Sequence, residues 1–125
     1  MQRNLLMEEA KKILIIEDDP DISEIYETWF ESKGHTVVKS STGLDGASNL
    51  LKERFALVIV DIKLPYKSGV DVVKFLRRSE YSNEETRALI ISGFVKDIEE
   101  VEKLREVYVL EKPASEEDIF KILNK

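Results

Sequence analysis

The chain contains 125 residues, of which 42% are hydrophobic and 35% are charged, and its formal net charge is −6. This length is enough for one domain with a real core, and the acidic balance without a basic stripe argues against nucleic-acid binding by this chain. The absence of cysteine excludes disulfides and thiol chemistry and fits a reducing, cytoplasmic compartment.

The N-terminal residues and the apolar runs set the expected organisation. The first residues lack the apolar stretch of a signal peptide and include two glutamates, and the longest apolar runs have only strand length. We therefore expect no membrane association, a short N-terminal tail over residues 1–10 and a single domain over residues 11–125.

The first predicted elements are a strand and a helix. Lys12–Ile16 has the apolar, β-branched character of a strand. Pro20 is pre-set for a first helical turn with Asp19 as its N-cap, and the helix extends to about Lys33, where Gly34 ends it. The core-facing stripe of this helix is expected to contain Ile22, Ile25 and Trp29, with Tyr26 and Phe30 as further candidates.

The rest of the chain repeats this alternation. Further strands are predicted at Thr36–Lys39, Leu57–Asp61, Arg87–Ser92 and Val107–Leu110. Further helices are predicted at Leu44–Arg54, about Gly69–Ser79, about Lys96–Arg105, and from a cap at Ser115 to the end. The second helix is expected to bury Leu44, Ala47, Leu50 and Leu51. Five such rounds predict an α/β fold with a five-stranded parallel sheet, helices on both faces and right-handed crossovers.

Chemically informative residues mark the ends of four predicted strands. Glu17 and Asp18 follow the first strand, Asp61 ends the third, Ser92 ends the fourth and Lys112 follows the fifth. Because the carboxyl ends of parallel strands meet at one edge of a sheet, these groups should converge despite their separation in sequence. Three acidic groups this close favour a divalent cation, and hard oxygen ligands suit Mg²⁺.

This convergence also predicts phosphoryl chemistry. Asp61 is the best nucleophile candidate, because the turn signalled by Pro65–Gly69 exposes it and leaves the backbone N–H of Ile62 free. A cation beside Asp61 neutralises the oxygens of an incoming phosphoryl group, and the Lys112 ammonium and Ser92 hydroxyl can contact the others.

Four motifs occur in order along the chain: I-L-I-I-E-D-D-P, V-I-V-D-I-K-L-P-Y-K-S-G, A-L-I-I-S-G and V-L-E-K-P. Together they resemble the receiver domain of two-component response regulators, and the resemblance extends from Lys11 to Lys125. It implies a doubly wound, flavodoxin-like sheet with strand order 2-1-3-4-5.

The resemblance implies, position by position, a metal site. Glu17 and Asp18 match the acidic pair of the family, with Asp18 as a direct Mg²⁺ ligand and Glu17 acting through water. Asp61 matches the phosphoacceptor, which also contacts the metal. Lys63 matches the position whose backbone carbonyl binds it. Mg²⁺ is therefore the implied cofactor.

The resemblance also assigns residues around the phosphoryl group. Ser92 matches the switch hydroxyl, Lys112 matches the lysine of the family, and Gly93 matches the small residue that leaves the phosphoryl group room. The family usually has a cis bond before the match of Pro113, although cis is the minority form of an X–Pro bond.

One position departs from the family pattern. Val109 stands where receivers often carry Tyr or Phe, and the neighbouring Tyr108 should point to the opposite side of the strand. Valine has no ring that could swing inward with the switch hydroxyl. We therefore predict that switching involves the Gly93–Lys96 loop and the start of the next helix, with Phe94 as the apolar residue that moves.

The function implied by the resemblance is that of a signalling switch. A histidine kinase or histidine phosphotransfer protein would donate a phosphoryl group from phosphohistidine to Asp61, and the product would switch a partner-docking surface. This surface is expected on the face formed by the fourth helix, fifth strand and fifth helix, for an unidentified downstream protein. The chain would catalyse only its own phosphorylation and hydrolysis and would not be a metabolic enzyme.

Two other classes of function remain open at this point. One is a Mg²⁺-dependent phosphohydrolase with an aspartyl-phosphate intermediate, although such folds usually place a second acid where this chain has Lys63. The other is a phosphate-independent adaptor, against which the presence of Asp61, Asp18 and Lys112 argues. The only histidine, His35, is expected to be exposed and inert and not a phosphorelay histidine.

Overall fold

The core of the structure is a five-stranded parallel sheet. The structure, a computed structural model, describes residues 9–62, 68–78, 83, 86–93 and 103–125. The strands are β1 (Lys12–Ile16), β2 (Thr36–Ser40), β3 (Leu57–Asp61), β4 (Arg87–Ser92) and β5 (Val107–Glu111). Their order is β2-β1-β3-β4-β5, and every neighbouring pair is parallel. The predicted α/β fold and its strand order are confirmed.

Four helices lie within the described ranges. They are α1 (Pro20–Ser32), α2 (Gly43–Lys52), α3 (Gly69–Arg78) and α4 (Glu116–Leu123), the last being the fifth helix of the sequence prediction. The helix predicted at about Lys96–Arg105 lies mostly outside the described residues, and its described part, residues 103–105, forms turns and bends. None of the helices in the described ranges has the length and apolarity that a membrane crossing requires.

Side-chain caps fix where three of the helices begin. Asp19 accepts a hydrogen bond from the backbone N–H of Asp21 at 2.9 Å, as its predicted role as N-cap requires. Ser115 caps α4 by accepting from the Asp118 N–H at 3.1 Å. Thr42 caps α2 in the same way, with a distance of 3.0 Å to the backbone nitrogen three residues on. The caps place each helix start directly after the carboxyl end of a strand.

Each face of the sheet has its own hydrophobic core. Alternate residues of one strand belong to different cores: Val58 and Val60 pack with α2 and α3, whereas Leu57 and Ile59 pack with α1 and α4. All four are at most 1% exposed. A strand buried on both sides explains why the apolar runs in the sequence are continuous and do not alternate.

The predicted inward faces of α1 and α2 are partly wrong. Large apolar side chains expected in the core are exposed to solvent: Ile25 by 48%, Leu44 by 56% and Leu51 by 50%. The residues that α1 and α2 bury are Ser23, Tyr26, Phe30, Gly43, Gly46 and Leu50. In α2, a Cβ atom on Gly46 would lie only 2.4 Å from Cδ1 of Ile16. Because this glycine lets α2 approach β1 closely, Leu44 and Leu51 are rotated away from the sheet.

The prediction that His35 is exposed is also wrong. Its side chain is 4% exposed, and Nδ1 accepts a hydrogen bond of 3.0 Å from the backbone N–H of Lys11. The imidazole packs against the rings of Phe30 and Phe120, with centroid distances of 6.2 Å to each. Gly34 has φ of 89°, and this left-handed turn after α1 directs His35 inward between the start of β1, α1 and α4.

Candidate functional site

Strand register brings the predicted site residues to the carboxyl edge of the sheet. Ile16 pairs with Val60, so Glu17 and Asp61 come next to each other at the ends of neighbouring strands. On the other side of β3, Asp61 pairs with Ile91, directly before Ser92. The last pair of β4 and β5 is Ser92 with Glu111, which places Lys112 just beyond the edge. The backbone N–H of Lys112 donates to the carbonyl of Ser92 at 2.9 Å.

Alternation along the strands separates these residues into two groups. Glu17, Asp61 and Lys112 each lie two residues beyond a strand residue that packs against α1 and α4. Ser92 lies two residues beyond Ile90, which packs against α2 and α3. Since side chains alternate between the faces of a strand, the acids and the lysine share one side of the edge, and the hydroxyl approaches from the other.

Three carboxylates form a cluster at this edge. One oxygen from each of Glu17, Asp18 and Asp61 lies within 4.8 Å of the others. Glu17 is 4% exposed and Asp61 is 6% exposed, whereas Asp18 faces solvent. Carboxylate oxygens on one open edge fit a hard divalent cation that keeps several waters, so the residues present suit Mg²⁺.

The electrostatics of the cluster favour a cation as well. Burial, opposed by a hydrogen bond from the Asp19 backbone N–H and reinforced by the neighbouring Asp61 and Asp18 carboxylates, raises the pKa of Glu17 to about 8. That hydrogen bond measures 3.1 Å from nitrogen to Oε2 of Glu17. Ionising all three acids is therefore costly unless a positive charge enters the site.

Lys112 supplies one positive charge to this site. Its Nζ lies 3.2 Å from Oδ2 of Asp61, and the lysine side chain remains 35% exposed while the aspartate is buried. The sequence predicted that these two residues converge, and their contact joins the ends of β3 and β5 across β4. The bond between Lys112 and Pro113 is cis.

Ser92 is buried, and the glycine that follows it lies next to open space. Ser92 is 1% exposed, and a Cβ atom on Gly93 would meet nothing within 4 Å. The role of Gly93 as the residue that leaves room for a phosphoryl group stays a prediction. Lys63 and Phe94, which were predicted to contribute a metal-binding carbonyl and a moving apolar side chain, lie outside the described residues.

Two residues near the site have positions that the sequence did not reveal. A Cβ atom on Gly69 would lie 2.4 Å from the carbonyl oxygen of Asp61, so glycine lets the start of α3 close against the strand end. Tyr26 of α1 is 6% exposed, and burial together with the charges of Glu17 and Asp61 raises the pKa of its phenol to about 12. The sequence had indicated Gly69 only as part of a turn and Tyr26 only as a candidate core residue.

The two faces of β5 follow the predicted alternation. Val109 packs against the core on the α2 and α3 side, and Tyr108 packs against the core on the α1 and α4 side. Tyr108 therefore points away from the face occupied by Val109, as expected. Both side chains are half-buried, because β5 is an edge strand.

Comparison with known families identifies this arrangement. The sequence profile of the response regulator receiver domain matches residues 13–124. The chain belongs to the response regulator receiver domain family. The resemblance carried by the four motifs is thus confirmed over nearly the whole length of this receiver domain.

Individual relatives support the family and the fold. The receiver domain is 34% identical to a response regulator, SaeR, of Staphylococcus aureus over 68 residues, which is 54% of this chain and 29% of that protein. The match therefore spans under a third of the length of this curated relative.

Solved structures of receiver domains superpose on almost the whole chain. A CheY-like receiver domain from Methylobacillus flagellatus has a TM-score of 0.82 at 26% identity, covering 93% of this chain and 98% of that one. The receiver domain of a sensor histidine kinase from Pseudomonas aeruginosa, with a magnesium ion coordinated in its active site cleft, has a TM-score of 0.82 at 19% identity, covering 93% and 96%.

Proposed function

We propose that this receiver domain accepts a phosphoryl group on Asp61 from the phosphohistidine of a histidine kinase or a histidine phosphotransfer protein. One observation carries the proposal: the Asp61 carboxylate lies within 4.8 Å of two other acids and also 3.2 Å from the Lys112 ammonium. A nucleophilic carboxylate that lies beside both a cation site and an ammonium suits phosphoryl transfer. Membership of the receiver family supports the same reaction.

Mg²⁺ is the proposed cofactor of this reaction. Asp18 and Asp61 would bind it directly, Glu17 through water, and the backbone carbonyl of Lys63 would complete the protein ligands. The donor set of three carboxylates supports the metal, as does the magnesium ion in the related Pseudomonas aeruginosa receiver domain. When bound, Mg²⁺ neutralises negative charge on the oxygens of the group being transferred.

The residues of the chain position the nucleophile and receive the product. A carboxylate oxygen of Asp61 attacks phosphorus, the phosphorus–nitrogen bond breaks, and the histidine nitrogen of the donor keeps the electron pair. Lys112 pairs with Asp61 before transfer and with a phosphoryl oxygen afterwards. The Ser92 hydroxyl donates to another phosphoryl oxygen in the open space beside Gly93.

The phosphorylated chain acts as a switch and not as a metabolic enzyme. Its own catalysis is limited to phosphorylation of Asp61 and hydrolysis of the acyl phosphate. The output is a change in a docking surface formed by β5, α4 and the helix predicted before β5, which binds a downstream protein in the cytoplasm. Neither nucleic acid nor a membrane is a partner of this chain in the proposed function.

Mass spectrometry after incubation with Mg²⁺ and acetyl phosphate tests the proposal. The wild-type chain should gain one phosphoryl group, Asp61→Asn should gain none, and Asp45→Asn, which changes an exposed aspartate of α2, should behave like wild type. Turnover of varied phosphate esters would favour a phosphohydrolase instead. A wild-type chain that never forms the adduct would favour the adaptor.

A further inference from the structure

Glu111 is the last residue of β5 and stands directly before Lys112. Strand register pairs it with Ser92, and the backbone N–H of Lys112 donates to the Ser92 carbonyl at 2.9 Å. Because neighbouring strands lie about 4.8 Å apart, the Cα atoms of Glu111 and Ser92 are roughly 5 Å from each other. The glutamate is therefore part of the edge of the sheet that carries the acidic cluster.

The side chains of Glu111 and Ser92 point to the same side of the sheet. Glu111 lies two residues beyond Val109, which packs against the core on the α2 and α3 side. Ser92 lies two residues beyond Ile90, which belongs to the same core. Since side chains alternate along a strand, the side chain of Lys112 points to the opposite side. The hydroxyl that is expected to contact a phosphoryl group thus has a carboxylate-bearing neighbour on the next strand.

Glu111 has an exposed carboxylate that makes no hydrogen bond or ion pair with any residue that the structure describes. By contrast, the Glu106 carboxylate just before β5 pairs with Nε of Arg87 at 3.0 Å. The Asp61 carboxylate at the end of β3 pairs with Nζ of Lys112 at 3.2 Å. The charge of Glu111 is thus weakened by solvent and salt and not by an ion pair.

A phosphoryl group on Asp61 would bring further negative charge close to this carboxylate. Converting the Asp61 carboxylate to its acyl phosphate adds about one negative charge, and in the proposed function Ser92 contacts one of the new oxygens. From the strand spacing, the Glu111 carboxylate lies within about 10 Å of the Ser92 hydroxyl, which is comparable to the Debye length at 0.1 M salt. Like charges at this distance repel each other, whereas a divalent cation at the acidic cluster is attracted by the same carboxylate.

We propose that Glu111 opposes the phosphorylation of Asp61 by charge repulsion and so favours the unphosphorylated state of the chain. Lys112 and Glu111 then act in opposite directions from adjacent positions, because the ammonium attracts the phosphoryl group and the carboxylate repels it. This role rests on the proposed function, since only a phosphoryl group at Asp61 brings the charge that Glu111 repels. It makes Glu111 a residue that determines how readily the site accepts phosphate.

Beryllofluoride, an anionic mimic of the phosphoryl group, tests this role in titrations of the full chain at saturating Mg²⁺, followed by amide NMR. At low ionic strength, Glu111→Gln should bind beryllofluoride about threefold more tightly than wild type does. The same variant should bind Mg²⁺ alone about twofold more weakly, because the cation loses an attractive charge. Glu111→Asp, which keeps the negative charge, should return both affinities towards the wild-type values.

The opposite signs expected for the two ligands distinguish repulsion from a structural effect of the substitution. A disturbed strand end would weaken the binding of beryllofluoride and of Mg²⁺ together, and that result for Glu111→Gln would contradict the role of its charge. Salt gives a second criterion: the tighter binding of beryllofluoride should largely disappear in about 1 M sodium chloride, where the Debye length falls to about 3 Å. Tighter binding that persists unchanged at this salt concentration would also overturn the repulsion.

A charge-matched control separates the position of Glu111 from the net charge of the chain. Glu31→Gln removes the same charge from an exposed position near the end of α1 and should leave both affinities unchanged. Equally tighter binding in Glu31→Gln, or equal beryllofluoride affinity in Glu111→Gln and wild type, would overturn the role of Glu111 alone. A wild-type chain that does not bind beryllofluoride, or binding that Asp61→Asn leaves intact, would overturn the proposed function and this role with it.

Discussion

The two ends of the sheet differ in how their buried polar side chains are paired. At the amino end, polar side chains close hydrogen bonds with backbone groups of neighbouring segments. At the carboxyl end, Glu17 and Asp61 are buried as neighbouring acids, which disfavours ionising both of them, and Lys112 contributes one positive charge. Among the described residues, the buried polar side chains at the amino end are paired within the chain, whereas the acidic cluster at the carboxyl end would be stabilised further by a cation.

Asn83 pairs with several backbone groups at the amino end of the sheet. Its side chain is 1% exposed, and its amide nitrogen donates to the Leu50 carbonyl at 2.7 Å and to the Glu53 carbonyl. Its Oδ1 accepts from the Phe55 backbone N–H at 2.8 Å and from the Thr86 hydroxyl at 3.0 Å. A single side chain thus joins the end of α2 to the starts of β3 and β4.

The largest expected effect comes from breaking the amino end. Asn83→Ala leaves the buried Phe55 N–H and the Leu50 carbonyl without partners, and should lower the free energy of unfolding by about 3 kcal/mol. Urea denaturation measures this change. Asn49→Ala, which removes one bond of 2.8 Å to the Ser40 hydroxyl, should cost only about 1 kcal/mol. If both variants lowered the free energy of unfolding by similar amounts, Asn83 would not have the special structural role assigned to it at the amino end.

Metal binding should stabilise the carboxyl end. At a Mg²⁺ concentration ten times the dissociation constant, mass action adds about 1.4 kcal/mol to the free energy of unfolding, or roughly 3–6 °C in Tm. Asp18→Asn should weaken Mg²⁺ binding and slow phosphorylation by acetyl phosphate. Calorimetry measures the affinity, with Asp21→Asn on the exposed first turn of α1 as the control. Unchanged affinity in Asp18→Asn would show that this ligand is wrongly assigned.

Lys112 should matter more for switching than for stability. Because its side chain is 35% exposed, Lys112→Ala should change the free energy of unfolding by less than about 1 kcal/mol. The variant should still accept phosphate, less well, but lose most of the NMR shifts that phosphorylation produces. Lys121→Ala, an exposed lysine of α4, provides the control. Equal phosphorylation-induced shifts in Lys112→Ala and wild type would count against its role.

The smallest effect concerns backbone strain at the amino end. Glu106 has φ of 57°, a left-handed conformation that costs a non-glycine residue about 1 kcal/mol. Glu106→Gly removes this cost but also removes the ion pair with Arg87, which offsets part of the gain. Thermal unfolding should show a net stabilisation of about 0.5 kcal/mol. A loss above about 1 kcal/mol would mean that the ion pair outweighs the strain.

The sequence predicted the fold and most of the acidic edge because both depend on local order along the chain. Glu17, Asp61 and Lys112 each follow or end an apolar strand, and a parallel sheet brings such positions together. The side-chain hydrogen bonds that connect the segments at the amino end could not be predicted in this way. Asn83 and Arg77 bind backbone groups up to 33 and 29 residues away, and no periodicity encodes such partners.

Helix orientation was the weaker part of the prediction for a related reason. Hydrophobicity alone placed Leu44 and Leu51 inside, but the close approach of α2 to β1 through Gly46 turned them outward. The preference for small residues at a tight contact depends on the partner surface, which the sequence of one helix does not contain. His35 was misplaced similarly, because its partners come from β1, α1 and α4.

The position of His35 makes it a natural spectroscopic probe. Since Nδ1 accepts the Lys11 N–H, the neutral ring carries its proton on Nε2, and one tautomer is fixed. The chain has a single histidine, so its imidazole resonances need no assignment. The ring touches Phe120 of α4, and any partner that displaces α4 should move these signals. Binding at the docking face can therefore be followed without attaching a label.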